Sequence, residues 1–329
     1  MAKSIIIGVD LGGTRLRAAQ LDENLNILQR DEVLTHAVDG ADATIERMKE
    51  LIARMLPTDG TPVLGIGVSV PGPANPKTGI VVAPPNLPGW HNVPLVKILQ
   101  DRFNVPVFLG NDANVAALAE VVRGAARGTR DAIFITVSTG IGGGVISDGR
   151  MLLGHEGIGA ELGHIIMIVD DKVSTLEKEA AGPAIARKLR ERLQAGASST
   201  AYEMCGGDLE QISGGTVGKA AMQGDPVAVD VIAKAGRILG LGMVSFLHIF
   251  NPEILVFGGG VSTVGELLFK PMREAIQQNT IDPSYWTNLR IEPAALGDNV
   301  SLVGAGALVI TQGGVEDIKH VLQELSQET

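Results

Sequence analysis

Along the chain, short apolar runs alternate with segments whose apolar residues recur at helical spacing. In the first part of the chain the apolar runs predict strands at 4–9, 16–21, 25–35, 64–70 and 105–109. The helical spacing predicts helices at 41–56, 94–103 and 111–122. Strands that alternate with helices in this way are typical of α/β architecture.

A second cycle of the same pattern begins after residue 130. A strand at 131–138, a glycine-rich turn at 139–144 and a strand at 144–148 repeat the strand, turn and strand of the N-terminus. The motif G-V-D-L-G-G-T is thereby echoed by T-V-S-T-G-I-G-G-G. This echo indicates a duplicated fold with one glycine turn in each lobe.

The later elements are predicted as helices at 179–194 and 226–249, a strand at 253–257, and a helical segment from Gly304 that breaks at Gly313-Gly314. The length favours two lobes that enclose a cleft. We predict a smaller N-terminal α/β lobe at 1–118, completed by a C-terminal helix at about 313–329, and a larger C-terminal lobe at 119–312.

Composition narrows the function classes. The 329 residues carry 27 basic and 37 acidic side chains, a formal net charge of −10 that disfavours a nucleic-acid partner. The apolar run at the N-terminus is too short for a signal peptide, and the run at 238–250 is too short and interrupted for a membrane span. One cysteine, Cys205, excludes an internal disulfide and a cysteine cluster for metal. We therefore expect a soluble, cytoplasmic protein.

Three glycine turns follow apolar strands and offer backbone N–H groups to an anion, because glycine has no Cβ to keep the anion away. A hydroxyl at Thr14 adds a donor, and Asp10 is placed to hold a hydrated Mg²⁺ beside phosphates. The third turn would let adenosine lie against backbone. The predicted nucleotide-binding residues are Asp10, Gly12, Gly13, Thr14, Thr139, Gly140, Gly258, Gly259 and Gly260.

Two other phosphate-binding patterns are missing from the sequence. No G-x-x-x-x-G-K-[ST] phosphate loop occurs. The first turn also lacks the G-x-G-x-x-G spacing of a dinucleotide site and carries Asp10 inside it. Each turn taken alone is also compatible with a plain tight hairpin.

Asn111 and Asp112 follow a predicted strand and open a predicted helix. Asn and Asp are favoured helix caps, so capping alone explains the pair. Phosphoryl transfer to an alcohol, however, needs a carboxylate that orients the hydroxyl and accepts its proton. Further on, Glu161, His164 and Glu177 are surface groups, loop anchors or partners of sugar hydroxyls; the residues alone leave these roles open.

Seven motifs give the chain a family resemblance. They are G-V-D-L-G-G-T, S-V-P-G-P, N-L-P-G-W, G-N-D-A-N-V-A-A-L-A-E, S-T-G-I-G-G-G, G-A-E-L-G-H and F-G-G-G. Together, in this order and across nearly the whole chain, they resemble the ROK family (repressor, open reading frame, kinase). The resemblance implies the two-lobed fold of actin and hexokinase-type ATPases, an ATP- and Mg²⁺-dependent glucokinase-like activity, and a homodimer or homotetramer.

The resemblance also implies roles for single residues. Asp112 would be the general base, and Asn111 would bind a neighbouring sugar hydroxyl. Glu161, His164 and Glu177 would bind hydroxyls around the anomeric end, with Asn86 nearby. Trp90 would be either a cleft wall or a packing residue.

One departure from the family concerns metal. Most ROK kinases carry a C-x-C-G-x-x-G-C loop after the histidine, whose three thiolates and the histidine form a structural zinc site. Here the cysteines are missing between His164 and Glu177, and Asp170 and Asp171 are poor substitutes for thiolates. We therefore expect no zinc.

Three alternatives remain beside a glucokinase. Because one or two cleft residues decide which sugar binds, one alternative is a kinase for another hexose or N-acetylhexosamine. Examples are fructose, mannose, allose, N-acetylmannosamine and N-acetylglucosamine. A sugar-responsive regulator would need a winged helix before the first phosphate turn, and that turn begins at Asp10. A non-catalytic sugar- or nucleotide-binding protein is supported only by the lost zinc loop. The sequence leaves ATP or polyphosphate open as the donor.

Overall fold

The computed structural model describes residues 4–327 and consists of mixed sheets and helices. The strands are β1 (Ile5–Leu11), β2 (Arg15–Leu21), β3 (Ile27–Leu34), β4 (Val63–Val70), β5 (Ala74–Asn75), β6 (Ile80–Val81), β7 (Val107–Asn111), β8 (Ala132–Val137), β9 (Ile141–Ser147), β10 (Arg150–Met151), β11 (Ile166–Val169), β12 (Lys172–Thr175), β13 (Ile254–Gly258) and β14 (Arg290–Pro293). The α-helices are α1 (Gly40–Met55), α2 (Leu95–Phe103), α3 (Asp112–Arg123), α4 (Leu176–Ala180), α5 (Gly182–Gln194), α6 (Thr200–Met204), α7 (Gly214–Met222), α8 (Pro226–Phe250), α9 (Glu266–Asn279), α10 (Val300–Ile310) and α11 (Ile318–Gln327).

The chain divides into two compact units. Unit 1 contains the residues up to Phe134, the segment Gly144–Ala160 and the residues from Ala294 onward. Unit 2 contains Ile135–Gly143 and Glu161–Pro293. The lobe boundaries expected at 118 and 312 stay a prediction, and residues 1–3 and 328–329 of the N-terminal lobe lie outside the described residues.

Two five-stranded sheets carry the repeated pattern. The first has the order β3-β2-β1-β4-β7, in which β2 runs antiparallel to β1 and β3, while β1, β4 and β7 are parallel. The second has the order β10-β9-β8-β13-β14. In both sheets a hairpin of two strands around a glycine turn lies beside strands that come later in the chain, as the sequence echo predicted.

The first sheet is covered on one face by α1 and lies against α10 on the other. Residues Ile45, Met48, Leu51 and Ile52 of α1 are buried in the core, as their helical spacing predicted. Trp90 belongs to the same core and is 1% exposed, so packing rather than a cleft wall explains it.

Helix α10 packs so closely against both the sheet and α3 that each of these contacts requires a glycine. A Cβ built at Gly67 of β4 would overlap the carbonyl oxygen of Ala305, and one at Gly304 would overlap that of Val115 in α3. Backbones can come this close only where no side chain intervenes. The contact therefore fixes the positions of β4 and α3 relative to α10.

A buried carboxylate adds a second tie to α3. Glu120 is 1% exposed and accepts hydrogen bonds from the backbone N–H groups of Ala125 at 2.7 Å, Ala295 at 3.0 Å and Leu296 at 3.2 Å. A buried polar side chain is stable in the interior when it is hydrogen-bonded in this way. The side chain thus joins the C-terminal half of α3 to the segment that leads into α10.

Two predicted elements need correction. The predicted helix at 179–194 is two helices, α4 and α5, because Pro183 has no N–H for an interior helical bond and is accommodated in the first turn of α5. The predicted glycine turn at 139–144 is shorter, since β9 begins at Ile141. Gly143 and Gly144 therefore lie in the strand. Glycine is needed there because a Cβ would press on Leu162 at the first position and on Ala117 at the second.

The segment that follows His164 forms a β-hairpin. Strands β11 and β12 pair in antiparallel register, with Val169 opposite Lys172. The two turn residues, Asp170 and Asp171, have φ angles of 50° and 60°. A two-residue loop with positive φ at both positions is the type I′ turn that matches the twist of a hairpin. The hairpin therefore gives this segment a regular structure of its own, where the family resemblance implied a zinc loop.

Among the described residues, no helix has both the length and the apolar character that crossing a membrane requires.

Substitution of Gly67 tests the contact between β4 and α10. We expect Gly67→Ala to lower the free energy of unfolding by about 1–3 kcal/mol, because the new methyl group forces α10 away from the sheet. Gly215→Ala is the matched control, since its Cβ would meet only Ser213 Oγ at 3.7 Å. Equal stability of Gly67→Ala and the parent protein in urea denaturation would show that the contact is looser than described.

Substitution of Asp171 tests the hairpin turn. We expect Asp171→Gly to raise the free energy of unfolding by about 0.5–1 kcal/mol and Asp171→Val to lower it by about 1–2 kcal/mol, because only glycine adopts positive φ without strain. Urea denaturation gives both values. We also expect a metal chelator to leave the unfolding midpoint unchanged; a reversed order of the variants, or a midpoint lowered by chelation, contradicts a hairpin held by its turn.

Candidate functional site

The first glycine turn joins β1 to β2 in unit 1. Gly12 N–H donates to the Arg15 carbonyl oxygen at 2.9 Å. The buried Thr35 holds the turn from behind, because its N–H donates to the Thr14 carbonyl at 2.9 Å and its hydroxyl donates to the Gly12 carbonyl at 2.6 Å. With these carbonyl groups already bonded within the protein, the turn has a fixed backbone shape. Thr14 itself is exposed.

Asp10 forms an ion pair that the sequence did not predict. Its Oδ2 accepts from Arg17 Nε at 2.9 Å and from Arg17 Nη2 at 2.6 Å. The two residues face each other in the register of β1 and β2. Arg17 also donates to the Asp298 carbonyl at 2.8 Å, which holds the guanidinium in place. The Asp10 carboxyl group is therefore held in a fixed orientation, with one oxygen bonded to Arg17.

Asn86 lies against the first glycine turn. A Cβ built at Gly13 would come within 3.1 Å of the Asn86 Cβ and of its carbonyl oxygen. Asn86 is exposed to solvent. The predicted sugar-binding residue and the predicted phosphate turn are thus neighbours in the same unit.

Asn111 and Asp112 stand where β7 ends and α3 begins. Asn111 is the N-cap, and its side-chain oxygen accepts from Ala113 N–H at 3.0 Å. Asp112 Oδ1 accepts from the same N–H at 2.8 Å. Gly72 packs on the Asn111 amide, since a Cβ at Gly72 would come within 2.5 Å of Asn111 Nδ2. Asn111 is thereby a helix cap, and Asp112 is an exposed carboxylate on a fixed helix end.

The second and third glycine turns lie side by side in unit 2. Ser138 N–H donates to the Gly140 carbonyl at 2.8 Å, and Gly182 N–H donates to the Ser138 carbonyl at 2.8 Å. Gly259, with a φ of 85°, approaches Val137 so closely that a Cβ would overlap its carbonyl oxygen. Thr139 is exposed, and a Cβ at Gly260 would meet open space. Backbone of both turns therefore borders one surface, with the start of α5 beside it.

Glu177 stabilises the second turn through a hydrogen bond to its backbone. Its Oε2 accepts from Ile141 N–H at 2.9 Å, and a Cβ at Gly140 would come within 2.6 Å of that oxygen. Glu177 sits in the first turn of α4, whose N-cap is Thr175. The side chain predicted to bind sugar thus also fixes the backbone of a predicted phosphate turn.

Glu161 and His164 flank a short turn that packs on the start of β9. His164 N–H donates to the Glu161 carbonyl at 3.1 Å, and both residues are exposed. Gly163, between them, is pressed against the Ile141 carbonyl oxygen. Since Glu177 binds the N–H of the same Ile141, the turn that carries Glu161 and His164 and the Glu177 side chain both contact this residue.

Two residues that contribute to the glycine turns, Arg17 and Gly182, were not predicted from the sequence. Arg17 carries no local signal and becomes recognisable only once the β1–β2 register places it opposite Asp10. Gly182 does carry a signal, because Pro183 after it marks the first turn of a helix. That signal would have placed a helix N-terminus beside the second glycine turn.

The donor groups do not fit a zinc site of the family type. Within residues 4–327 no group of three His, Cys, Asp or Glu side chains is arranged to hold a metal ion. His164 has no thiolate near it in the sequence, and the single cysteine, Cys205, contacts the Gln211 carbonyl. At Gly140 and Gly259 glycine is required for packing within the protein, because a Cβ would collide with Glu177 Oε2 and with the Val137 carbonyl oxygen respectively.

Comparison with known proteins agrees with these features. The ROK family profile matches residues 6–312. The chain is 37% identical over 315 residues to the glucokinase of Thermotoga maritima, which covers 94% of this chain and 98% of that protein. It is 32% identical over 257 residues to the xylose repressor of Caldicellulosiruptor bescii, which covers 76% of this chain and 63% of the repressor.

A solved structure extends the likeness to the fold. The crystal structure of a ROK family glucokinase from Streptomyces griseus, in complex with glucose and AMPPNP, has a TM-score of 0.74 to this chain at 33% identity. The match covers 93% of this chain and 99% of that one. The predicted actin/hexokinase-type ATPase fold is thereby confirmed, and the chain belongs to the ROK family.

Proposed function

We propose that the chain is an ATP-dependent hexose kinase that converts glucose to glucose 6-phosphate. The observation that carries the proposal is Asp112, an exposed carboxylate on the first turn of α3 beside the capping Asn111. A base in this setting is accessible to a substrate hydroxyl while its backbone stays fixed. The glucokinases among the relatives support glucose as the acceptor.

In the proposed reaction Asp112 accepts the proton of the sugar 6-hydroxyl while the oxygen of that hydroxyl attacks the γ-phosphorus of ATP. The bond between the γ-phosphorus and the bridging oxygen breaks, and ADP leaves. Asn86 and Asn111, together with Glu161, His164 and Glu177, hydrogen-bond the remaining sugar hydroxyls. These contacts orient the reacting hydroxyl, which lowers the entropic part of the barrier.

The glycine turns would receive the nucleotide. Backbone at Gly12, Gly13, Thr139 and Gly140, with the Thr14 hydroxyl, would bind phosphate oxygens, and Gly258–Gly260 would lie against adenosine. Mg²⁺, when bound, neutralises phosphate charge, and Asp10 would hold it through water. The contact with Arg17 holds the Asp10 carboxyl group in a fixed orientation for this role.

In this proposal the protein is a cytoplasmic homodimer or homotetramer that acts on small molecules. The other sugars named above remain the second candidate, because no contact among the described residues selects between them. A non-catalytic sugar- or nucleotide-binding protein stays the alternative of another class, and ATP turnover with sugar present separates it from the kinases.

The first test measures ADP release with Mg-ATP against a panel of hexoses and N-acetylhexosamines. We expect turnover with glucose that a zinc chelator does not affect, and a decrease in kcat of ~10²–10⁴ in Asp112→Asn. Asp101→Asn, an exposed carboxylate on α2, is the matched control and should keep full activity. Absence of turnover with every sugar, despite ATP binding, would favour the non-catalytic binder; full activity of Asp112→Asn would remove the base assignment.

A double-mutant cycle tests the support that Glu177 gives to the second turn. Gly140→Ala and Glu177→Ala should each lower kcat/KM. When the changes are expressed as activation free energies, the loss in the double variant should be smaller than the sum of the two single losses by about 0.5–3 kcal/mol. The reason is that truncation of Glu177 makes room for the new methyl group. Gly215→Ala again serves as the control in unit 2.

Strictly additive losses in this cycle would contradict the described contact. They would mean that the two residues act on the reaction independently.

A further inference from the structure

A cavity of about 710 Å³ lies in unit 2 between the β11–β12 hairpin, α5 and α8. Its volume is within the range of small-molecule sites. One wall is formed by the hairpin residues Val169, Asp170, Lys172, Val173 and Ser174, which belong to the segment that replaces the cysteine loop. None of the residues assigned to sugar or nucleotide lines it.

The cavity is strongly basic in a protein whose formal net charge is −10. Six cationic side chains and three carboxylates line it. The cations are Lys172, Arg187, Lys188, Arg192, Lys234 and Arg237, and the carboxylates are Asp170, Glu179 and Glu191. Such a concentration of positive charge needs an explanation, because like charges in proximity repel each other.

Part of the positive charge is neutralised inside the protein. Lys188 Nζ lies 2.8 Å from Glu179 Oε2, and Arg187 lies 2.9 Å from Glu191. Burial raises the pKa of Glu179, but hydrogen bonds from Lys188 and Ser174 outweigh it and the net pKa is below the usual value. Glu179 is therefore ionised at neutral pH and committed to the Lys188 ammonium group.

The other cations have less compensation. Arg192 and Lys234 share a single carboxylate, Asp230, at 2.6 Å and 3.1 Å. Lys172 and Arg237 form no ion pair with any side chain in the part of the chain that the structure describes. The hairpin wall and the α8 wall thus each contribute a cation that is available to a ligand.

We propose that this cavity binds the phosphoryl group of a small anion, with Arg237 and Lys172 as its principal ligands. A phosphomonoester carries close to two negative charges and three acceptor oxygens, which suits two cations on separate walls. The guanidinium of Arg237 can donate two parallel hydrogen bonds to phosphate oxygens, and Lys172 adds a point charge. The binding site is separate from the glycine turns and does not depend on the proposed kinase reaction.

Isothermal titration of the full-length protein with glucose 6-phosphate and, separately, with inorganic phosphate tests the site. Glucose and a non-hydrolysable ATP analogue are present throughout, so that the glycine turns are occupied if they bind nucleotide. We expect one binding event, weakened at least tenfold by Arg237→Gln combined with Lys172→Gln, since both substitutions remove charged hydrogen-bond donors to the phosphoryl oxygens. Equal affinity for both probes assigns the site to free phosphate, and tighter binding of glucose 6-phosphate assigns it to a phosphorylated metabolite.

Two controls separate binding from folding. Lys270→Gln removes an exposed cation on α9, outside the cavity, and should bind as the parent protein does. Arg237→Lys keeps the charge but loses the two parallel hydrogen bonds, so its affinity should lie between those of the parent protein and Arg237→Gln, an order that a loss of structure would not reproduce. The absence of binding in the parent protein, or unchanged affinity in the double Gln variant, overturns the proposal.

Discussion

The close contact of α10 with the first sheet and with α3 is the constraint on which the geometry of unit 1 depends. Gly8, Gly67 and Gly304 each stand where a side chain would collide with backbone carbonyl groups. Because the interface is backbone against backbone, it has almost no freedom to slide or tilt. The carboxyl ends of β1 and β7 and the first turn of α3 are therefore held at set positions, and these are the places where Asp10, Asn111 and Asp112 lie.

The same principle of local anchoring applies to the glycine turns. Glycine alone would leave the turns flexible, but a side chain fixes the backbone of two of them: Thr35 bonds the first turn and Glu177 the second. Donors that are fixed before an anion arrives need little reorganisation when charge develops on it. The anchoring residues thus matter to the proposed chemistry even where they do not touch a phosphate.

The sequence predicted those features that depend on local pattern. The helix α1 followed from regularly spaced apolar residues, and the glycine turns and the Asn111-Asp112 pair were recognisable because each follows an apolar strand. Features that depend on tertiary register were not predictable. Arg17 is defined by its partner across a hairpin, and Glu120 by backbone groups at Ala295 and Leu296 that are distant in sequence.

The hairpin escaped prediction for a different reason. Its turn is Asp170-Asp171 and lacks the glycine that normally signals a type I′ turn. Its apolar residues Ile166, Ile168 and Val173 are 67%, 74% and 76% exposed, so burial does not explain their alternation. The lobe boundaries and the roles of the site residues remain predictions of the sequence and of the family resemblance.

The hairpin has a consequence for oxidative stress. A structural site of three thiolates is open to oxidation to sulfenic acids and disulfides, and its zinc is lost when the thiolates are consumed. Here the corresponding segment contains no sulfur except the thioether of Met167, and its shape comes from backbone hydrogen bonds and two aspartates. Peroxide or disulfide reagents that would collapse a cysteine-ligated loop have no thiolate to attack in this segment, so its structure should persist under oxidising conditions.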